Sequence, residues 1–174
     1  MSHDRAIALV GMMGSGKTTV ANILAGLLGG RVLDLDHLLE AEAGCSVAEI
    51  FRREGEAGFR RREASRLAEL LLEPPTVLAC GGGAILDPDS RDRLKRACRV
   101  VWLEVSPHEA MRRVGHNAER RPLLTEAEAG LEALLRGRED AYRDAADLRV
   151  PTDGRTPAQV AQAVVQGLRE GSVA

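Results

Sequence analysis

Gly11-Met12-Met13-Gly14-Ser15-Gly16-Lys17-Thr18-Thr19 fills every required position of the pattern G-x-x-x-x-G-K-[ST]. The flanks agree with it. Ala6-Ile7-Ala8-Leu9-Val10 is a short apolar run that reads as a buried strand. Val20, Ile23, Leu24, Leu27 and Leu28 then recur at helical spacing. A strand, a glycine-rich loop and a helix in that order make a phosphate cradle. Glycine lets the backbone approach phosphate oxygens closely enough for its N–H groups to donate, and the helix adds its positive end. Gly14, Ser15, Gly16, Lys17, Thr18 and Thr19 are therefore the candidate ATP-binding residues. Lys17 reaches the β- and γ-phosphates, and the Thr18 hydroxyl is a candidate Mg²⁺ ligand.

The rest of the chain bounds what such a loop can serve. With 174 residues, of which 44% are hydrophobic, one globular domain is expected over 1–174. A net charge of −2 gives no whole-chain attraction to nucleic acid or membrane. Phe51, Phe59, Trp102 and Tyr142 are too few and too scattered for a base-stacking platform. Asp4 and Arg5 lead directly into the first strand, so no signal peptide is expected, and no apolar run approaches membrane-spanning length. Cys45, Cys80 and Cys98 are odd in number and lack metal-ligand spacing, which points to buried thiols in a reducing, cytoplasmic setting. Of 24 basic residues only Lys17 and Lys95 are lysines, so a lysine kept at the loop position adds modest support to its assignment.

Along the chain, strands alternate with helices. Arg31-Val32-Leu33-Asp34-Leu35-Asp36 reads as a second strand ending in two acids. Ser46-Val47-Ala48-Glu49 reads as a capping box that opens a helix carrying Ile50 and Phe51, and a second, charged helix is expected from about Glu56 to Leu72, stopped by Pro74-Pro75. Thr76 to Cys80 is a third strand running into Gly81-Gly82-Gly83, and Val100 to Glu104 a fourth. Ser106-Pro107-His108-Glu109 is a cap with proline at the first helical position. Arg112 to Leu124 is polar and poorly periodic and reads as a loop. Thr125 to Glu128 caps a helix whose apolar face carries Leu131, Leu134 and Leu135. Leu148-Arg149-Val150 is a last strand, and Thr156-Pro157-Ala158-Gln159 caps a final helix. This alternation predicts an α/β fold with a parallel sheet covered on both faces. Ligands in such sheets bind beyond the carboxyl ends of the strands, which gathers the phosphate loop, Asp34/Asp36 and the glycine triplet into one crevice.

The ordered set of motifs resembles the shikimate kinases, of the P-loop nucleoside-monophosphate-kinase fold. The resemblance rests on Gly11–Thr19, Asp34-Leu35-Asp36, the run Gly44 to Phe51, Gly55-Glu56 and Phe59-Arg60-Arg61-Arg62-Glu63. Gly81-Gly82-Gly83, Arg121-Pro122-Leu123-Leu124 and Tyr142-Arg143 complete it. It implies a three-layer sandwich with five parallel strands flanked by helices, substrate-binding helices over about 36–72 and a lid over about 115–124. It further implies ATP and shikimate as substrates, Mg²⁺ as cofactor, and a monomer. In that family the residues matching Asp36, Arg60, Gly82, Gly83 and Arg143 hold shikimate. The match to Arg121 is a lid arginine over the phosphates, and matches to Arg113 and Arg155 flank the adenine. The segment His116 to Arg120 is one residue longer than usual in the family, and residues 125–136 are unusually rich in Ala, Glu and Leu.

Each candidate also has a plainer reading. Asp34 and Asp36 share a face if the strand stays extended, one helping to hold Mg²⁺ and the other meeting the reacting hydroxyl; otherwise Asp36 merely caps a helix. Arg60 sits in a run of three arginines, and such runs on helices usually face water; only the resemblance makes it a ligand. Three successive glycines exceed the needs of one tight turn, and close approach of a ligand explains the surplus. Lys17, Asp36 and Arg121 form the expected catalytic set, with Thr18 and Asp34 for the metal. A related kinase for gluconate or an aminated shikimate analogue would keep the loop and alter the set Asp36, Arg60 and Arg143. A GTPase-type switch is disfavoured, since no Asp-x-x-Gly occurs and neither Asn22 nor Asn117 begins an Asn-Lys-x-Asp. The catalytic set also disfavours an inactive regulatory homologue.

Overall fold

Strand β1 (Ala6–Val10) is the middle of the sheet because it is apolar at every position and bordered on both sides by equally apolar strands. The computed structural model describes residues 5–114 and 128–171. Five strands lie in the order β2-β3-β1-β4-β5, all parallel. The others are β2 (Val32–Asp34), β3 (Val77–Ala79), β4 (Cys98–Glu104) and β5 (Leu148–Pro151). The expected parallel α/β sheet is therefore present. Strands buried on both faces carry no alternation, which is why β1 and residues 100–103 of β4 read as unbroken apolar runs.

Seven helices cover the sheet among the described residues: α1 (Lys17–Leu28), α2 (Leu35–Ala43), α3 (Val47–Leu70), α4 (Pro88–Ala97), α5 (Pro107–Val114), α6 (Glu128–Ala145) and α7 (Pro157–Glu170). They divide the interior into two cores. Against one face, α1 and α7 bury Val20, Leu24, Val160 and Val164 on Ile7, Leu9, Val101 and Leu103. Against the other, α2, α3, α4 and α6 bury Leu35, Phe59, Leu67, Leu94 and Tyr142 on Ala8, Val10, Val100 and Trp102. No described helix is long and apolar enough to cross a membrane.

Local chemistry sets the helix ends. Ser46, Asp87 and Thr156 each accept a backbone N–H three residues on, and Thr156 with Gln159 completes a reciprocal capping box. The structure departs from the sequence expectations in three places. The second strand ends at Asp34, whose carboxylate accepts the His37 N–H at 3.2 Å and caps α2, so Asp36 stands in the first helical turn and not on an extended strand. Helix α3 agrees with the sequence, being two helical runs, the first capped by Ser46 and the second charged, that meet at Gly55, whose φ of 70° only glycine adopts readily. Helix α5 runs on to Val114, so Arg112 and Arg113 are helical and not part of a loop. Helix α4, opened by Asp87 and Pro88, was not anticipated at all. The lid interval about 115–124, with Arg120 and Arg121, and the cap at Thr125 lie outside the described residues.

Candidate active site

One cavity of about 770 Å³ opens at the carboxyl ends of the strands. Its floor is the phosphate loop. Gly14 and Gly16 take φ of 79° and 88°, conformations that need glycine, and a Cβ on Gly14 would lie 2.9 Å from the Ala110 carbonyl. Gly16 is the N-cap of α1 and offers no side-chain cap, which leaves the first-turn amides of the helix for an anion. The Lys17 ammonium curls back over the loop and donates to the carbonyls of Gly11 and Met12 at 2.8 Å each, with Ser15 Oγ at 3.4 Å. The Thr18 hydroxyl donates to Asp34 Oδ2 at 2.6 Å. Asp34 thus uses one oxygen to cap α2 and turns the other toward the loop. A hydroxyl and a carboxylate meeting beside a phosphate cradle are hard oxygen donors, a set that fits Mg²⁺.

On the nucleotide side, Glu109 carries Arg112 (2.6 and 2.8 Å) and Arg113 (2.7 Å). Those guanidinium bonds, Arg112's foremost, pull the Glu109 carboxyl down to about 2. Arg113 also donates to the Gly14 carbonyl at 3.1 Å and to the Oγ1 and carbonyl of buried Thr152 at 3.1 and 2.9 Å. It ties the phosphate loop to the segment Thr152 to Pro157, which lines the cavity together with Arg155.

The opposite end of the cavity is charged and walled by aromatic rings. Phe51 and Phe59 lie 4.5 Å apart between ring centroids, and the Arg60 guanidinium sits over both, at 5.9 and 5.3 Å. Arg60 Nη1 donates to Glu63 Oε2 at 2.6 Å. Glu63 is buried, and burial pushes its carboxyl up while the Arg60 charge pulls it back. The glycine triplet has a different reason from the one its composition suggests. None of Gly81, Gly82 and Gly83 has positive φ. Each lacks a side chain because something charged occupies the space. A Cβ on Gly81 would stand 2.5 Å from Glu63 Oε1 and 2.8 Å from Asp36 Oδ1. On Gly83 it would stand 2.3 Å from the Arg60 guanidinium, and on Gly82 3.2 Å from Arg138 Nη1.

Most of the expected residues converge here: Gly14 through Thr19, Asp34, Asp36, Arg60, Gly82, Gly83, Arg113 and Arg155 all line the cavity. Arg143 does not. Its side chain is 60% exposed and paired with Glu139 and Asp140 on the outer face of α6. Arg138, on the same helix, takes the inward place that had been expected of Arg143: it is 4% exposed, lines the cavity, and its Nε has no hydrogen-bond partner among the described residues. The reason is helical phase. Leu131 is followed by Leu134 and Leu135 three and four residues on, these by Arg138 at four and three, and Arg138 by Tyr142 at four, whereas Arg143 lies a further 100° or so around the helix. An arginine interrupting an apolar stripe was the available signal.

A family model described as shikimate kinase matches residues 13–169. A shikimate kinase of Symbiobacterium thermophilum is 43% identical over 167 residues, covering 94% of this chain and 96% of that protein. The solved structure of a shikimate kinase from Acinetobacter baumannii in complex with shikimate superposes with a TM-score of 0.94 at 38% identity, covering 99% of this chain and 97% of that one. A gluconokinase from Sinorhizobium meliloti gives a TM-score of 0.59 at 14% identity and shares the fold alone. With the family model running from within the phosphate loop through the acid-lined end of the cavity and α6 in one match, the chain belongs to the shikimate kinase family.

Proposed function

We propose that this chain transfers the γ-phosphoryl group of ATP to the 3-hydroxyl of shikimate, in the cytoplasm. The observation that carries the reading is the make-up of the cavity: a phosphate loop at one end, and at the other an aspartate with two arginines around a side-chain-free turn. A phosphate loop alone serves any nucleotide. Arg60 and Arg138 add two guanidinium groups suited to gripping a small carboxylate, and Asp36 adds an acceptor for hydroxyls. The buried thiols Cys80 and Cys98 suit a reducing compartment.

The chemistry is mostly positioning and charge neutralisation. The shikimate hydroxyl oxygen forms a bond to Pγ as the bond from Pγ to the β–γ bridging oxygen breaks. The hydroxyl proton passes to the Asp36 carboxylate, and ADP leaves. Lys17 and the first-turn amides of α1 hold the phosphates, and Arg121, by family resemblance, adds a charge over them. Thr18 and Asp34 would hold Mg²⁺, which when bound neutralises phosphate charge. Arg113 keeps the loop and the base-side segment in register.

An ADP-release assay with shikimate, gluconate and nucleoside monophosphates tests the assignment directly; turnover only with gluconate or a nucleotide acceptor would overturn it. Within that assay, Arg60→Ala is expected to lower kcat/KM for shikimate by an amount equivalent to about 2–4 kcal/mol while ATP binding is nearly unchanged, since a charge-assisted carboxylate contact is lost. Equal weakening of both substrates would make Arg60 a structural residue of α3. Gly83→Ala should act through the same arginine. The new methyl cannot share space with the guanidinium, and a displacement of about 1 Å at a positioned group costs roughly 10²-fold in rate. Wild-type kinetics in Gly83→Ala would mean that Arg60 is free to stand elsewhere.

A further inference from the structure

Tyr142 is wholly buried one helical turn beyond Arg138 on α6, and its hydroxyl has two neighbours of opposite character. It donates its proton to the Gly82 carbonyl at 2.5 Å. The Arg138 guanidinium stands on the same side of the turn: a Cβ on Gly82 would lie 3.2 Å from Arg138 Nη1 and 3.6 Å from the Tyr142 hydroxyl oxygen. A carbonyl can only accept and a guanidinium can only donate. With its single proton given to the carbonyl, the hydroxyl occupies that acceptor and keeps its lone pairs for a guanidinium beside it.

The ring that carries this hydroxyl is held firmly. It stacks on Trp102, with centroids 5.6 Å apart and planes inclined by 22°, and Trp102 in turn lies under the Arg149 guanidinium at 4.9 Å. Burial pushes the phenol up to about 12, so it stays protonated throughout the neutral range. Arg138, by contrast, is a long side chain with several rotamers and, at Nε, an N–H without a partner among the described residues. An arginine that must meet a planar anion in one orientation gains from being held before the anion arrives.

We propose that Tyr142 is a positioning residue for acid recognition: its hydroxyl holds Arg138 off the Gly82 backbone, at the height where a substrate carboxylate reaches it. Without the hydroxyl, the guanidinium could donate directly to the Gly82 carbonyl. Its Nη1 already lies 3.2 Å from the place a Gly82 Cβ would take. Arg138 would then collapse onto the turn and be spent on the backbone. Tyr142 is thus expected to govern affinity for the acid and not the phosphoryl transfer itself. This inference rests on the reading of Arg138 as a carboxylate-binding residue.

The test is Tyr142→Phe, which keeps the ring and its stack on Trp102 and removes one oxygen, alongside Arg138→Ala and the double variant in the full chain. Thermal melts establish that each is folded. Tyr142→Phe should raise KM for shikimate about ten-fold, the effect of losing one hydrogen bond to a charged group, with kcat within about three-fold and KM for ATP within about two-fold. In the Arg138→Ala background the same change should add less than about two-fold, since the group it positions is gone. A rise in both KM values together, or an undiminished effect in the Arg138→Ala background, would show a merely structural role and overturn the proposal. If Arg138→Ala weakens shikimate while Tyr142→Phe does not, the positioning role falls and the reading of Arg138 stands. If Arg138→Ala leaves KM for shikimate unchanged, both fall.

Discussion

Lys17→Ala should lose roughly 10³-fold or more in turnover, at or beyond the upper end of what removing one preorganised donor costs, and yet remain folded. The ammonium has two tasks. It presents charge to the β- and γ-phosphates, and at 2.8 Å from the carbonyls of Gly11 and Met12 it also braces the loop that surrounds them. Alanine removes the charge and leaves two carbonyl dipoles at an anion site. Phosphate is then repelled where it had been attracted. The fold survives because β1 and α1, which carry the loop, are buried by Leu9, Val10, Val20 and Leu24 and not by Lys17. Steady-state kinetics together with circular dichroism decide the matter. Activity within a few-fold of wild type would remove the phosphate loop from the mechanism.

Asp36→Asn should slow turnover by roughly 10²–10⁴-fold, the span typical of a lost general base, with ATP affinity nearly unchanged. The amide keeps the shape of the carboxylate at the head of α2 but cannot take the hydroxyl proton. Asp34→Asn should behave differently. Asp34 Oδ2 meets the Thr18 hydroxyl at the phosphate loop, so its loss should raise the Mg²⁺ concentration needed for half-saturation, because an amide binds this hard ion less well than a carboxylate. ATP binding, Mg²⁺ titration and turnover measured on both variants separate the roles. If Asp36→Asn chiefly moves the Mg²⁺ curve and Asp34→Asn chiefly slows turnover, the two assignments are exchanged.

The parts of the site that follow from local chain geometry were legible in the sequence. The phosphate loop needs a fixed spacing of glycines between a strand and a helix, and that spacing is printed in Gly11 to Thr18. The parallel sheet and the crevice follow from the alternation of strands and helices; the strand order does not. Side-chain direction was less legible. Asp34 and Asp36 were placed together by assuming an extended strand, whereas a cap formed by Asp34 turns the chain into a helix between them. Arg143 was carried over from a dipeptide resemblance, and the helical phase of α6 selects Arg138 instead. The glycine triplet reads in sequence as room for a ligand's close approach. Its cause is long-range, since the groups that exclude a Cβ come from α2, α3 and α6, far away in the chain. Nothing in a linear reading brings Arg60 against Gly83.

The sheet keeps two cores apart, with α1 and α7 on one face and α2, α3, α4 and α6 on the other. Helix α1, whose first turn faces the phosphates, is seated on the first face, and Asp36, Arg60 and Arg138 stand on helices of the second. A change of substrate can therefore be drafted on one side of a wall. Repacking α2, α3 and α6 to admit a differently shaped acid disturbs residues that touch Val10, Val100 and Trp102, and leaves untouched those that seat α1 beneath the phosphates. Such a partition makes the chain easy to diversify. An ancestral engine for phosphoryl transfer can be inherited whole while the specificity helices drift, and a laboratory library confined to those three helices should yield altered acceptors far more often than it yields molecules that no longer bind ATP.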